Sequence, residues 1–217
     1  LGILRSNTQF VYVLNPDVVL NQDTMSKINN TIFNLENFAI LSPISDNPHF
    51  PNYRANLNKI KLEDSNVIEE VEEIGGYSMI INKNYFKDNI FFFEKFFMYL
   101  ENVDLCLSAK KNGGKLYIIT GSKIHHLGAK AVDDKYSEQI ELSRNWHWMW
   151  SKFYFNKKHK GILISSLLGL ISLVGNFIKY LSYALILKKK KDIYKMRMFG
   201  LINAILGKKA WFRPEIN

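Results

Sequence analysis

Phe10–Asp17, FVYVLNPD, is the stretch on which the reading of this chain turns. Phe10, Val11, Tyr12, Val13 and Leu14 run without polar alternation, the pattern of a strand covered on both faces in a parallel α/β sheet. Pro16 has no amide proton to give a ladder, so the strand stops there. Asp17 then stands just past the carboxyl end of a strand, where open α/β sheets collect their ligands. A carboxylate in that place suits a divalent cation and a phosphorylated substrate. The same Asn15-Pro16-Asp17 triplet also suits an ordinary turn with no chemistry in it.

Outward from this stretch, helices and strands alternate. Asn21–Leu35 carries helix spacing at Met25, Ile28, Ile32 and Leu35, with Asp23 or Asn21 as its cap. The apolar run Ala39–Ser42 leads into Pro43, and the polar, Asn- and Pro-containing stretch between Ser45 and Glu69 reads as a long loop with an edge strand. Ile74–Ile81 reads as one strand entered through Gly75 and Gly76, which allow close approach of the backbone to a ligand. Asn84–Asp88 is expected to form a short helix, Glu101–Asn112 a longer one stopped by Gly113 and Gly114, and Leu116–Thr120 and Lys123–Leu127 two short strands. The alternation predicts an α/β layer with a mixed sheet.

The charge is divided unevenly. Lys and Arg outnumber Asp and Glu by 29 to 20 over 217 residues. From Lys157 onward there are 13 bases against Asp192 and Glu215, so the body before it is close to neutral. A nucleic-acid reader carries its basic charge on the folded domain, so nucleic acid is not expected as a partner. The single cysteine, Cys106, excludes an internal disulfide framework and reads as a small buried side chain in a reducing compartment.

Four pieces taken together resemble the inverting glycosyltransferases of family 2, and within it the rhamnosyltransferase-like branch that builds bacterial surface polysaccharides. They are Asp17 at its strand end, the glycine strand Gly75–Ile81, the segment Phe96–Cys106 (FFMYLENVDLC) and Ile124–Gly128 (IHHLG). The closing Gly200–Pro214 is similar to the tails of the same branch. The resemblance implies a GT-A-like mixed sheet flanked by helices, a nucleotide-sugar donor such as dTDP-rhamnose, and a divalent cation, Mg²⁺ or Mn²⁺, held by an Asp-x-Asp-like motif. That motif is Asn15-Pro16-Asp17 here, so Asp17 is the expected metal ligand and Asn15 a donor-binding residue without charge. His126, ahead of Leu127 and Gly128, matches the histidine that completes the cation site in the family; neutral imidazole is a reasonable ligand beside a carboxylate. Gly76, Tyr77 and Ser78 occupy the place of the strand beside the donor sugar.

The acid motif of the family appears as Glu101-Asn102-Val103-Asp104. An inverting transfer needs a base to take the proton of the acceptor hydroxyl, and the position the family uses for it is Asn102, which takes none. Glu101 and Asp104, one helical turn apart, are the remaining catalytic candidates. They suit helix capping equally well. The resemblance further implies a strand, helix and second strand ahead of Leu1 that grip the nucleotide. Leu1–Leu4 reads as the end of a helix, and the chain is expected to be an N-terminally truncated piece that binds nucleotide poorly.

Gly161–Leu187 is apolar almost all round and flanked by basic clusters at Lys157–Lys160 and Lys188–Lys191. It is long enough to span hydrocarbon, and its two basic flanks suit a segment lying in the interface against anionic headgroups. Trp146, Trp148, Trp150 and Tyr154 are expected as an interfacial aromatic belt. The organisation expected is therefore a transferase domain over 1–156 and a hydrophobic, basic helical tail over 157–217, working at the cytoplasmic face of a bacterial inner membrane on a polysaccharide or polyprenyl-linked acceptor. Two other readings stay open: a catalytically degenerate homologue that binds partners or membrane, and a basic adaptor whose tail does the work.

Overall fold

The computed structural model describes residues 2–35, 37–47, 50–55, 68–87, 90–128, 133–186 and 188–214. It divides into two compact units, Leu1–Phe92 with Asn102–Ala131, and Phe93–Glu101 with Val132–Asn217. The second unit thus draws in 93–101 and the residues just before 157 together with the tail.

The first unit holds α1 (Gly2–Arg5), β1 (Phe10–Leu14), β2 (Val18–Leu20), α2 (Thr24–Asn34), β3 (Phe38–Ser45), β4 (Tyr53–Arg54), β5 (Ile68–Glu70), β6 (Glu73–Ile74), β7 (Ser78–Asn82), most of α3 (Glu101–Lys111) and β8 (Lys115–His126). The main sheet runs β1-β7-β3-β8-β2, with β5 also paired to β8. Among the described residues only β3 and β8 pair in parallel, so the sheet is mixed, and the α/β architecture is compatible with a GT-A-like fold.

The strand at FVYVL forms, but it is not a central parallel strand. Among the described residues β1 is an edge of the sheet, antiparallel to β7 with Phe10 opposite Asn82. Its unbroken apolar run still reflects cover on both faces. Phe10 and Tyr12 pack with Ile28, Phe38 and Leu41 on one side, and Val13 with the Met79 and Leu105 cluster on the other. The central strand is β3, which continues through Pro43 to Ser45 instead of stopping. It can do so because the register with β8 shifts between Pro43 and Ile44, so no ladder bond is asked of the missing amide. The same irregularity keeps the two short strands expected at 116–127 together as one, β8.

Other local expectations shift as well. Ile74–Ile81 is not one strand; the turn at Gly76 and Tyr77 divides β6 from β7. Asp23 stands at the N-cap of α2 without a side-chain cap, because its carboxylate pairs with Lys27 at 2.6 Å. Met25 points outward while Ile28 is buried. The short helix expected at 84–88 is a single 3₁₀ turn over Lys83–Tyr85, Asp88 lying outside the described residues, as do 56–67 of the expected loop. Cys106 is buried and free as expected; its thiol, 3.8 Å from the Ile74 carbonyl, is pushed up to about 11 chiefly by burial.

The second unit is helical. α4 (Ser137–Ile186) is broken at Gly161, whose φ of 84° and ψ of 169° no side-chain-bearing residue adopts easily, and the chain reverses there. Gly169 after the break lies against the Phe153 ring before it, and Tyr183 stacks on Tyr194 of α5 (Lys188–Ile205) at 5.2 Å. Three helical runs therefore pack together around Trp146, Met149, Trp150, Phe153, Leu201 and Ala204. This corrects the expected aromatic belt: Trp146 and Trp150 are core residues, and of the three tryptophans between 146 and 150 only Trp148 is exposed. The segment 93–101 packs here through Ser151 Oγ, which donates to the Met98 carbonyl at 2.7 Å, and through Phe97 on His147 and Tyr99 on Trp148.

The run after Gly161 has its apolarity turned outward. Ser165, Gly169 and Asn176 are its buried residues, whereas Leu163 and Leu185 are 83% and 89% exposed. The helix is long and apolar enough to cross a membrane, with a mean hydropathy of 2.0 over its most apolar window.

Candidate active site

Asp17 and His126 meet because the sheet brings their strands together. The turn at Pro16–Asp17 leads into β2, and β2 pairs antiparallel with the end of β8, Val18 opposite His126. The Leu127 amide donates to the Asp17 carbonyl at 2.9 Å, closing the pair from the other side. Asp17 Oδ2 then lies 3.1 Å from His126 Nε2, both side chains mostly buried. His125, one residue back on the strand, faces the opposite way and pairs through Nδ1 with Asp46 at 2.8 Å. The period of two along β8 separates the histidines as expected.

Tyr77 covers the pair. Its ring stacks on His126 with centroids 4.1 Å apart and planes 11° from parallel, while Phe50 approaches the imidazole edge-on at 6.0 Å. The Tyr77 hydroxyl donates to the Phe50 carbonyl at 2.6 Å, and burial raises its pKa above the ordinary phenol value. Asn15 takes part through its backbone, its amide donating to the Tyr77 carbonyl and its carbonyl accepting from Val18, while its side chain is exposed. His126 Nδ1 is buried with no partner.

Behind this pair stands a buried polar brace. Asn52 is fully buried; its Nδ2 donates to Ser42 Oγ at 2.8 Å and to the Pro43 carbonyl at 2.6 Å, and its Oδ1 accepts from the Ser45 amide. Ser42 Oγ donates to the Ser78 carbonyl, and Ser78 Oγ meets the Tyr12 hydroxyl at 3.0 Å. Ser78 is thus inside the fold. A Cβ on Gly75 would come within 3.3 Å of the Asn52 backbone, so the glycine at 75 serves this close crossing, and Gly76 begins the turn that delivers Tyr77.

α3 is tied to the same turn. Asn102 Nδ2 donates to the Ile74 carbonyl at 2.9 Å, which fixes the start of the helix against the entry to Gly75. Asp104 is buried at 2% exposure. Glu101 opens the helix with Oε2 buried and without a partner, and burial raises its pKa above the ordinary 4.5 despite a bond from its own amide. Directly before it, Tyr99 and Leu100 both take left-handed backbone angles, φ 71° and 66°. Two adjacent strained residues of this kind cost on the order of 1–3 kcal/mol each and are typical of functional segments.

Among the described residues no three His, Cys, Asp or Glu side chains cluster as a metal site. The Asp17–His126 pair nevertheless offers a carboxylate oxygen and an imidazole nitrogen 3.1 Å apart, close to the roughly 3 Å between adjacent ligands of a cation bound at about 2.1 Å. Phe50, Asn52 and Asp46 were not singled out from sequence. They lie in a Pro- and Asn-rich loop whose pairing with Tyr77 and His125 has no local signature.

No family model matches the chain. It is similar to a protein of Haloferax volcanii, the low-salt glycan biosynthesis hexosyltransferase Agl10, 24% identical over 225 residues that cover 96% of this chain and 69% of that protein. The similarity supports a glycosyltransferase, a class that acts with a sugar donor and a glycan acceptor.

Proposed function

We propose that the chain is an inverting hexosyltransferase of family 2, rhamnosyltransferase-like, that moves a sugar from a nucleotide-sugar donor to a growing glycan at a membrane surface. The observation that carries this reading is the Asp17–His126 pair under Tyr77, at the end of an α/β strand, in a chain similar along nearly its whole length to a glycan biosynthesis hexosyltransferase. Asp17 and His126 are the residues that would hold the cation. Two protein ligands would leave room for donor oxygens on such a cation, and an imidazole between them would favour Mn²⁺ over Mg²⁺. When bound, such a cation neutralises the departing diphosphate.

The base is assigned to the first turn of α3. Asn102 is engaged with the Ile74 carbonyl, which fits a positioning role. Glu101 is the better of the two candidates, its Oε2 buried and without a partner. A carboxyl whose pKa is raised by burial is a better proton acceptor near neutrality, and the left-handed residues Tyr99 and Leu100 stand directly before it. Gly76 and Tyr77 line the donor side.

The outward apolar run of α4 supports membrane association. In a water-soluble helix the large apolar residues face the core; here the small and polar ones do. A second reading, a homologue that binds without catalysis, is favoured by the missing acid at Asn102. Release of nucleoside diphosphate from a panel of nucleotide sugars separates the two. Turnover with one hexose donor above the others supports the transferase, and no turnover with any donor, with or without lipid-linked glycan, supports the binding protein.

A further inference from the structure

We propose that the second unit carries an anion site for the phosphate or diphosphate head of a long-chain lipid carrier; the assignment to a lipid that bears a glycan rests on the transferase reading above. The site is a cavity of about 650 Å³ between the segment at 94–97, the first run of α4 and the residues that follow α5. Five bases line it, Lys95, Lys157, Lys208, Lys209 and Arg213, against one acid, Glu94. Among the described residues no ion pair joins any of the five to a carboxylate, and the lining carries net positive charge.

The bases are mounted on fixed backbone. Trp150 Nε1 donates to the Lys208 carbonyl and Asn203 Nδ2 to the Lys209 carbonyl, each at 3.0 Å, which sets the two lysines side by side at the rim. The Arg213 guanidinium lies over the Phe97 ring at 3.3 Å, and its Nη1 donates to the Ala210 and Phe212 carbonyls. Its other N–H groups remain for an anion. A planar, anchored guanidinium beside mobile ammonium groups is an arrangement suited to phosphate oxygens.

The rest of the lining points to a lipid source. Phe96, Phe97, Trp150 and Tyr154 make the walls aromatic, and Lys157 lies within five residues of Ile162, where the outward apolar run begins. A soluble phosphate has no use for that neighbour. A phosphate on an apolar chain does, because head group and tail then meet basic and apolar protein surfaces in the order a bilayer presents them.

The test uses the full-length protein and the fluorescence of its tryptophans, one of which is in the cavity wall. It is titrated with inorganic pyrophosphate, with neutral phosphatidylcholine vesicles containing a polyprenyl diphosphate, and with matched vesicles containing phosphatidylglycerol at equal charge. The carrier vesicles are expected to bind at least roughly tenfold tighter than either control, to be displaced by excess pyrophosphate, and to lose that preference in the triple variant Lys95→Gln, Lys208→Gln, Lys209→Gln. These three side chains are exposed, and thermal melting checks the fold of the variant. Equal binding of the two charged vesicles, pyrophosphate as tight as the carrier, failure of pyrophosphate to displace, or an unaffected triple variant each overturns the site. Donor hydrolysis by the unaltered protein reads the transferase assignment separately: hydrolysis without carrier preference removes this site alone, and carrier preference without hydrolysis removes the transferase reading alone.

Discussion

Asp17 and His126 are 109 residues apart in the chain and 3.1 Å apart in the fold. Backbone brings the two residues together: β2 leaves the Asp17 turn and pairs with β8 at Val18 opposite His126, so the ladder keeps them neighbours. Tyr77 stacked on the imidazole holds the ring plane. A carboxylate and an imidazole fixed in this way form a preorganised pair, which is the property a cation or a proton-sharing site requires.

Glu101→Gln tests the base and the burial of its carboxyl together. Burial raises the folded-state pKa above 4.5, so the folded protein holds the proton over a range where the unfolded chain has lost it. Stability contributed by the neutral form is complete below 4.5 and is lost as pH rises through the folded value. Melting temperatures of Glu101→Gln and the unaltered protein are therefore expected to agree in acid, with the variant more stable near neutrality. Its turnover is expected to fall roughly a hundredfold or more. Equal melting at both pH values would remove the buried carboxyl from the account, and full turnover would move the base to Asp104.

Asn52→Ala is expected to cost about 2–4 kcal/mol in denaturant unfolding. The substitution leaves the Ser45 amide without its side-chain acceptor and removes one of two side-chain donors to the Pro43 carbonyl, along with the donor to Ser42 Oγ. Because Asn52 also meets Gly75, the variant's remaining folded fraction is expected to show weakened donor binding. A loss below about 0.5 kcal/mol would mean that the brace is hydrated rather than buried.

Leu163→Glu with Leu185→Glu tests the outward apolar run. Both side chains are largely exposed, so melting in buffer is expected to change by less than about 0.5 kcal/mol. Flotation with vesicles is expected to drop to background, since each charge enters the apolar boundary only at high cost. Undiminished flotation would assign membrane contact to the lysine clusters alone.

The sequence was readable where chemistry is local. FVYVL followed by a proline stops as a strand, the glycines at 113–114 end α3, and the histidine doublet splits across β8. What it concealed is set by partners distant in the chain. That β1 pairs antiparallel at an edge depends on β7, some seventy residues later, and Pro43 stays within a strand only because β8 shifts register beside it. Trp146, Trp148 and Trp150 have the composition of an interfacial belt, but Trp146 and Trp150 are covered by α5, whose Gly200 lies against the Trp146 backbone. Of the side chains that gather around Asp17, His126 and Tyr77 had been singled out by their motifs. Phe50 and Asn52 were not, because their contacts depend on how a loop folds over the sheet.

The most direct measurement is sugar transfer by the full-length protein with Mn²⁺, with the metal chelated, and in the Asp17→Ala variant. Turnover that requires Mn²⁺ and falls at least about a hundredfold in Asp17→Ala, with the melting temperature unchanged, is the expected result. Transfer that continues undiminished in Asp17→Ala would contradict the assignment of the Asp17–His126 pair as the reaction centre.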